Sequence, residues 1–365
     1  MTRQQLTEIM SRIRPLDDKA AEAARAYQGI LAKPPGSLGK LEDISIRLAG
    51  IKGVMAPTIE KTRIIVMCAD NGLIEEGIGS APVTVTMAQA VNMTKHLTGM
   101  SSLAKAFGDD VRVVDVGIAT PYDCPEIVDR KIRRGTHNLA KEAAMTEEEA
   151  LQAVGTGLEM AAEAAKDGID VIGVGEMGIG NTTTSAAVLA VLSGLTVAEV
   201  TGRGGGLTDA NFRHKKEVIE GAISSLNPDP NDAIDVLAKV GGFDLAAMCG
   251  VFLGAAVYRL PVVIDGFISV VAALCASRLH PLAKDFMFPS HASYEIGYKA
   301  AAAELGLEPW LLLNMRLGEG SGCPLAFQVM KAAQAIMTTM ATFEGASIND
   351  DYLEEIRKTD SYTVQ

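Results

Sequence analysis

Short apolar runs recur along the chain, and each is followed by a polar or glycine-rich turn. Apolar positions within a run are continuous rather than alternating, which is typical of parallel strands buried on both faces. Ala-rich segments of helical periodicity lie between the runs, notably 141–166 and 184–193. The pattern predicts an α/β fold in which helices flank a parallel sheet. The predicted strands are Arg63–Ala69, Val111–Val116, Ile169–Val174, Pro261–Ile264, Phe286–Phe288 and Trp310–Met315.

The N-terminal segment has the periodicity of amphipathic helix rather than of strand. Residues 1–32 predict helix up to Pro34-Pro35-Gly36, and a second helix fits residues 38–52. The charged start of the chain does not match a signal peptide. The apolar stretch 261–279 contains an aspartate and an arginine, so we do not expect it to span a membrane.

Composition narrows the class of protein. Apolar residues make up 48% of the chain and charged residues 21%, which is enough to bury a large core. The net charge of −12 argues against nucleic acid as a main partner, because phosphate backbones need a basic surface. Five cysteines without a CxxC pair predict reduced thiols in a cytoplasmic protein. No histidines or cysteines have ligand spacing, so we expect no metal site.

The polar residues of the chain cluster where the predicted strands end, and this is where parallel sheets bind ligands. The longest such motif, residues 171–188, runs from a strand through four glycines into Asn181 and three threonines. Glycines expose backbone N–H groups, and the following helix N-terminus carries partial positive charge. The motif therefore predicts an anion-binding loop built from these glycines and threonines, with a ligand-free strand–turn–helix capped by threonine as the alternative.

The same stretch supports an alternative. Residues 173–178 match GxGxxG, and Glu199 follows at about the spacing of a ribose ligand. An NAD-dependent oxidoreductase therefore remains a second hypothesis at this point.

Two further motifs carry candidate chemistry. Residues 201–216 place three consecutive glycines, 204–206, beside Arg203 in a second candidate anion-binding loop. A basic cluster at 213–216 then follows, which is either a solvated helix face or part of the site. In residues 316–327, Glu319 lies between two glycines after an apolar run, where it is either a surface turn residue or a general base with a raised pKa.

With these motifs, the chain resembles the nicotinate-nucleotide:dimethylbenzimidazole phosphoribosyltransferase family. Four stretches carry the resemblance, in the family's order: PPGSLGKLE at 34–42, GEMGIGNTTTSAAV at 175–188, TGRGGGL at 201–207 and RLGEGSG at 316–322. The resemblance implies a glycosyltransferase that moves ribose 5-phosphate from nicotinate mononucleotide to a lower-ligand base in cobamide synthesis, without a cofactor. It also implies a dimer and a large Rossmann-like domain over 59–320. A small helical domain would then be built from 1–58 and 321–365.

The resemblance also implies residue roles. Glu319 matches the catalytic base, and Glu176 and Lys215 match residues that support it. Phosphate and nucleotide binding, and the pocket for the incoming base, are assigned to two larger sets. The nucleotide set is Gly178, Gly180, Asn181, Thr182, Gly204, Gly205, Ser290 and His291, and the base-pocket set is Asn71, Ser80, Ala88, Gln89 and Leu317.

The chain departs from the family's pattern in the base pocket. The family usually has Asp-His-Gly where this chain has Asp70-Asn71-Gly72, and it has a glutamine where Ala88 aligns, next to Gln89. These departures leave the base class open between dimethylbenzimidazole and a phenol or cresol. They also leave open a heterodimer with a paralogue, or a non-catalytic partner subunit, in place of a homodimer.

Overall fold

A six-stranded sheet forms the centre of the computed structural model, which describes residues 1–79 and 81–359. Every neighbouring pair of strands is parallel. The strands are β1 (Thr62–Ala69), β2 (Asp110–Gly117), β3 (Val128–Asp129), β4 (Val171–Met177), β5 (Val262–Ile264) and β6 (Met287–Pro289), in the spatial order β3-β2-β1-β4-β5-β6.

Helices connect the strands and cover the sheet. Short 3-10 helices occupy Gly72–Glu76, Pro281–Phe286 and Asp351–Leu353. Within the described residues the α-helices are α1 (Arg3–Met10), α2 (Asp18–Ile30), α3 (Lys40–Lys52), α4 (Thr84–Thr94), α5 (Gly99–Phe107), α6 (Glu147–Lys166), α7 (Asn181–Ser193), α8 (Val197–Val200), α9 (Asp209–Leu226), α10 (Ala233–Val240), α11 (Phe243–Val257), α12 (Phe267–Leu279), α13 (Tyr298–Leu305), α14 (Gly322–Thr339) and α15 (Glu354–Thr359).

The α/β fold predicted from the sequence is confirmed. Five predicted strands are present, with ends displaced by three residues or fewer. The predicted strand Trp310–Met315 is wrong: this segment makes only an isolated bridge between His291 and Leu311. Leu312 and Leu313 are 81% and 52% exposed, so this apolar run does not enter the core.

The single helix predicted over residues 1–32 is also wrong. The segment forms α1 and α2, and a turn and irregular residues that include Pro15 separate them. Proline has no N–H to donate and its ring crowds the preceding turn, so the helix is interrupted here. The helical periodicity of the sequence continues across this interruption.

Strand order determines where a ligand can reach the sheet. The chain passes from β1 to β2 on one side, and it passes from β4 to β5 on the other. Adjacent strands whose connections leave in opposite directions open a crevice at their carboxyl ends. This crevice lies between Asp70-Asn71, which follow β1, and the end of β4 at Glu176 and Met177.

The chain divides into two compact units. The first comprises Met1–Arg14 and Lys61–Ala326 and contains the whole sheet. The second comprises Pro15–Glu60 and the described residues from Phe327 onward. The domain boundaries at 58 and 320 inferred from the resemblance stay a prediction, and the first fourteen residues group with the sheet unit.

The second unit is helical. Ala24, Ala49 and Met337 form its buried cluster. Lys33 and Glu42 form a mostly buried ion pair within it, with Nζ and Oε1 2.7 Å apart. In the part of the chain that the structure describes, no helix is both long and apolar enough to cross a membrane.

Helices α6 and α11 pack in unusually close contact in the sheet unit. A Cβ atom added at Gly157 would lie 1.9 Å from the backbone oxygen of Ala247, and one at Gly250 would lie 2.0 Å from that of Val154. Residues Phe243–Ala256 of α11 are all buried. Glycine therefore sets the distance between α6 and α11, and α11 in turn packs against the sheet.

We expect Gly250→Ala to lower the free energy of unfolding by about 1–3 kcal/mol, because the added methyl group overlaps backbone that cannot move independently. Gly221→Ala is the matched control, since Gly221 lies within α9 and a Cβ added there would have no atom within 4 Å. That change should be neutral or stabilise by up to about 1 kcal/mol. Urea denaturation measures both, and equal effects of the two substitutions would contradict the packing argument.

Candidate active site

A cleft of about 240 Å³ opens at the carboxyl ends of the strands. Its wall combines the loop after β4 with segments that follow β5 and β6 and with the segment before α14. The lining residues are Val85, Gln89, Glu176, Met177, Gly178, Ile179, Gly180, Asn181, Thr182, Gly204, Gly205, Asp265, Gly266, Phe267, Ile268, Ser269, His291, Ser293, Glu295, Arg316, Leu317, Gly318 and Glu319.

Glu319 lies in this wall on a strained loop and is only 5% exposed. Its φ is +64°, between Gly318 at +84° and Gly320 at +88°. A non-glycine residue in this region costs free energy and persists only where the surroundings fix it. Its Oε2 atom accepts a hydrogen bond of 3.0 Å from the backbone N–H of Met100, in the first turn of α5. Among the described residues no hydrogen bond reaches Oε1, which is therefore available to a ligand.

Glycine in β4 allows the Glu319 loop to approach the sheet. A Cβ added at Gly175 would lie 2.4 Å from the backbone oxygen of Glu319. One added at Gly318 would lie 2.4 Å from Oε1 of Glu176. The glycines at these positions are required by the contact of two backbone segments, in addition to the loop's own conformation.

Glu176 is the buried partner of this loop. Its Oε1 accepts the backbone N–H of Glu319 at 3.2 Å. Its Oε2 accepts from the side-chain amide of Asn181, which also donates to Asp244 at 3.1 Å. Burial and the nearby Asp244 carboxylate raise the pKa of Glu176 to about 8, and burial raises the pKa of Asp244 to about 6.

The N-terminus of α7 faces the cleft. Gly180 caps this helix with a φ of +96°, and Asn181 and Thr182 form its first turn. The second glycine loop lies beside it, because a Cβ added at Gly204 would be 2.9 Å from the Thr182 hydroxyl oxygen. The two predicted anion-binding loops are therefore neighbours in the structure.

Lys215 forms hydrogen bonds to both of these loops. Its Nζ donates to the Thr182 hydroxyl and to the backbone oxygen of Gly202, both at 3.1 Å. The residue is 1% exposed, and burial lowers its pKa to about 8. Arg213 and His214 of the same basic cluster are exposed. One member of the cluster thus supports the site, and these two neighbours form a solvated helix face.

Ser290 and His291 follow β6. The Ser290 hydroxyl donates to the backbone oxygen of Asp265 at 3.1 Å and lies 3.0 Å from Nδ1 of His291. With the Ser290 proton so placed, Nδ1 of His291 is the donor and its Nε2 an acceptor. Burial lowers the pKa of His291 to about 4, so the ring is neutral at physiological pH. His291 lines the cleft, and Ser290 lies behind it.

Known proteins match this chain over nearly its whole length. A family model described as "Phosphoribosyltransferase" matches residues 13–348. The chain belongs to this family. A nicotinate-nucleotide--dimethylbenzimidazole phosphoribosyltransferase of Clostridium perfringens is 52% identical over 359 residues, which cover 98% of this chain and 99% of that protein.

A protein of the same name from Ruminiclostridium cellulolyticum is 48% identical, and the match covers 93% of this phosphoribosyltransferase and 97% of the relative. Among solved structures, CobT from Thermus thermophilus superposes with a TM-score of 0.87 at 37% identity. That match covers 91% of this chain and 99% of the other.

The structure divides the residues predicted for the base pocket of the phosphoribosyltransferase. Gln89 and Leu317 line the cleft, whereas Ala88 is exposed and does not. Asn71 is 2% exposed behind the cleft, where its side-chain amide donates to the backbone oxygen of Ile179 at 3.5 Å. Ser80 lies outside the described residues.

The alternative of dinucleotide binding loses its basis in this phosphoribosyltransferase. Gly173 and Gly175 lie inside β4 rather than in a turn after it. Glu199 is exposed and forms a capping box with Thr196 at the start of α8. The GxGxxG match therefore reflects close packing against the sheet and not a pyrophosphate loop.

Two acids of the site, Asp244 and Asp265, are not among the site residues predicted from the sequence. Asp265 directly follows β5, so its sequence signal is of the same kind as that of the other polar residues at strand ends. Asp244 lies in the first turn of α11 and is fully buried. Its only sequence signal is a charge within an otherwise apolar helix.

We expect the buried carboxyl of Glu176 to make stability pH-dependent. Its folded pKa of about 8 exceeds the ordinary 4.5, so the folded state holds the proton more tightly. The resulting stabilisation is complete below pH 4.5 and is lost as the pH rises through about 8. Urea denaturation across this pH range should therefore show wild type losing stability relative to Glu176→Gln. Parallel curves for the two proteins would contradict the assignment.

Proposed function

We propose that the chain transfers ribose 5-phosphate from nicotinate mononucleotide to dimethylbenzimidazole, giving the α-nucleotide phosphate and nicotinate for cobamide synthesis. The observation that carries the proposal is a buried carboxylate, Glu319, that lines the same cleft as a glycine-rich helix N-terminus. Family membership over residues 13–348 supports it, as does the name of the relative that is 52% identical.

The nucleotide phosphate binds at the first turn of α7 in this proposal. Gly178, Gly180 and Thr182 supply a helix N-terminus with little side-chain bulk, which favours an anion. Gly204 and Gly205 close the other side. Lys215 places a buried positive charge next to this turn, where its Nζ donates to the Thr182 hydroxyl. Holding the phosphate fixes C1′ relative to the incoming base and removes much of the entropic barrier to transfer.

Glu319 acts as the general base. It takes the N–H proton of the benzimidazole ring while the other ring nitrogen attacks C1′ from the face opposite nicotinate. The bond between C1′ and the pyridinium nitrogen breaks, and its electron pair neutralises that ring as nicotinate leaves. Positive charge that would develop on the benzimidazole is thereby removed by proton transfer.

Glu176 supports this step from behind the loop. Its carboxyl accepts the Glu319 backbone N–H and so helps to fix the position of the base. Because burial raises the pKa of Glu176 to about 8, most of this carboxyl is protonated at neutral pH. A second negative charge next to Glu319 is thus avoided.

The acceptor class is proposed from two observations. Relatives that match nearly the whole chain are named for dimethylbenzimidazole. The family's glutamine aligns with Ala88, but the neighbouring Gln89 lines the cleft. A glutamine is therefore still present in the cleft wall. A phenolic acceptor, a homodimer or heterodimer, and a cytoplasmic location stay predictions.

The reaction itself is tested by incubating the purified chain alone with nicotinate mononucleotide and dimethylbenzimidazole, phenol or p-cresol. We expect mass spectrometry to detect the benzimidazole nucleotide phosphate and released nicotinate. Product from a phenol only would overturn the acceptor class while it preserves the transfer reaction. Product that forms only with an added paralogue would identify a heteromeric enzyme, and no product under either condition would refute the function.

We expect Glu319→Gln to lower kcat by about 100-fold or more, because general bases typically contribute about 10²–10⁴-fold. Affinity for nicotinate mononucleotide should change little, since the phosphate loops are untouched. Steady-state rates and equilibrium binding measure the two effects. Glu199→Gln is the matched control, because Glu199 is exposed and caps α8. A Glu319→Gln rate near that of the control would rule out the proposed base.

A further inference from the structure

Asp265 occupies a position that the reaction described above does not use. It directly follows β5, is 2% exposed, and lines the cleft wall beneath the Glu319 loop. Its Oδ2 accepts the backbone N–H of Gly320 at 3.0 Å, and its Oδ1 accepts that of Gly322 at 2.7 Å. One carboxylate therefore holds the residue after Glu319 and the first residue of α14.

The loop depends on such an anchor because its conformation is unfavourable by itself. Gly318, Glu319 and Gly320 have three consecutive positive φ values. Strained backbone persists only where surrounding contacts over-determine it. Glu176 holds the N–H of Glu319 and Asp265 holds the N–H of Gly320, so consecutive amides are bonded to buried carboxyls from β4 and from the end of β5.

Asp265 is itself fixed from three directions. Its backbone N–H donates to the Ser269 hydroxyl at 3.2 Å, and that hydroxyl donates to the backbone oxygen of Val174 at 3.3 Å. The Ser290 hydroxyl donates to the Asp265 backbone oxygen. Residues on β4, α12 and the segment after β6 thus hold one aspartate in place, as is required of a residue that sets the position of another.

Glycine at position 322 shows that the contact is close. A Cβ added there would lie 2.9 Å from Oδ1 of Asp265 and 2.3 Å from both the Ser290 hydroxyl and Nδ1 of His291. Only glycine lets this backbone amide reach the carboxylate. Burial raises the pKa of Asp265 to about 7, so the group is kept at an electrostatic cost that backbone donors only partly offset.

We propose that Asp265 is a positioning residue of the transfer reaction, which sets the Glu319 carboxylate by holding the backbone amides of Gly320 and Gly322. The proposal rests on the function proposed above. Asparagine at this position has the same shape but offers only one acceptor oxygen. Its NH₂ group would face one of the two backbone N–H groups at about 3 Å, which is repulsive, and the loop would shift.

The test is a double-mutant cycle of Asp265→Asn and Glu319→Gln, with nicotinate mononucleotide and dimethylbenzimidazole as substrates. We expect Asp265→Asn alone to lower kcat by about tenfold to 100-fold, because a displacement of about 1 Å can cost this much. The KM for nicotinate mononucleotide should stay within about twofold. In the Glu319→Gln background, Asp265→Asn should lower the rate by less than about twofold, because the side chain it positions is already inactive.

Asp115→Asn is the matched control. Asp115 is also buried, lies in β2, and accepts the backbone N–H groups of Gly117 and Ile118 through its Oδ1 at 2.9 and 2.8 Å. The substitution should lower the urea midpoint as Asp265→Asn does, while kcat stays within about twofold of wild type. An equal kcat loss in both variants would mean that the loss comes from general destabilisation, and it would overturn the proposal.

Gly322→Ala tests the same contact while it leaves the carboxylate intact, in case Asp265→Asn does not fold. Gly322→Ala should lower kcat in the wild-type background but not further in the Glu319→Gln background, because the added methyl group displaces the Gly322 amide from Asp265. Full additivity of either variant with Glu319→Gln, or a wild-type kcat in Asp265→Asn, overturns the positioning role. Absence of product from wild type refutes the proposed function instead, and a fast Glu319→Gln refutes the base, so the three failures are distinguishable.

Discussion

The site depends on one close approach, in which the backbone of the Glu319 loop lies against strand β4. A side chain at Gly175 would collide with the Glu319 backbone oxygen at 2.4 Å, so the contact exists only because β4 carries a glycine there. This approach brings the loop amides to the buried carboxyls at the strand ends. Without this close approach, no contact with the sheet would hold Glu319 in its left-handed backbone conformation inside the cleft.

Burying several acidic side chains near the carboxyl ends of the strands costs free energy of folding. Glu176, Asp244 and Asp265 all have raised pKa values because burial disfavours their charged forms. The protein offsets part of this cost with hydrogen bonds to backbone N–H groups and to the Asn181 amide. Replacing buried polar groups with apolar ones often stabilises a protein, so their presence here is better explained by the site than by stability.

Sequence patterns predicted the features that are local in the chain. Glycine clusters identified the two candidate anion loops and the Glu319 loop, because a run of glycines indicates unusual backbone. Continuous apolar runs correctly predicted five strands, but the strand predicted at Trp310–Met315 is absent. Apolar sequence alone does not determine whether the leucines of a segment are buried in the core. Ala88 and Gln89 were indistinguishable because helix rotation decides which of two neighbours faces the cleft.

Features that depend on distant residues had no local signal. Asp265 and Asp244 are single acids within apolar segments, and sequence alone cannot say which backbone amides they hold. Lys215 differs from the exposed Arg213 and His214 because α9 directs its side chain toward Thr182 and Gly202. The proposed base, Glu319, is thus visible in the sequence as a motif, whereas the groups that fix its geometry become visible only when segments far apart in the chain are brought together. Positioning residues of this kind are therefore best sought among buried polar side chains that accept backbone N–H groups of a strained loop.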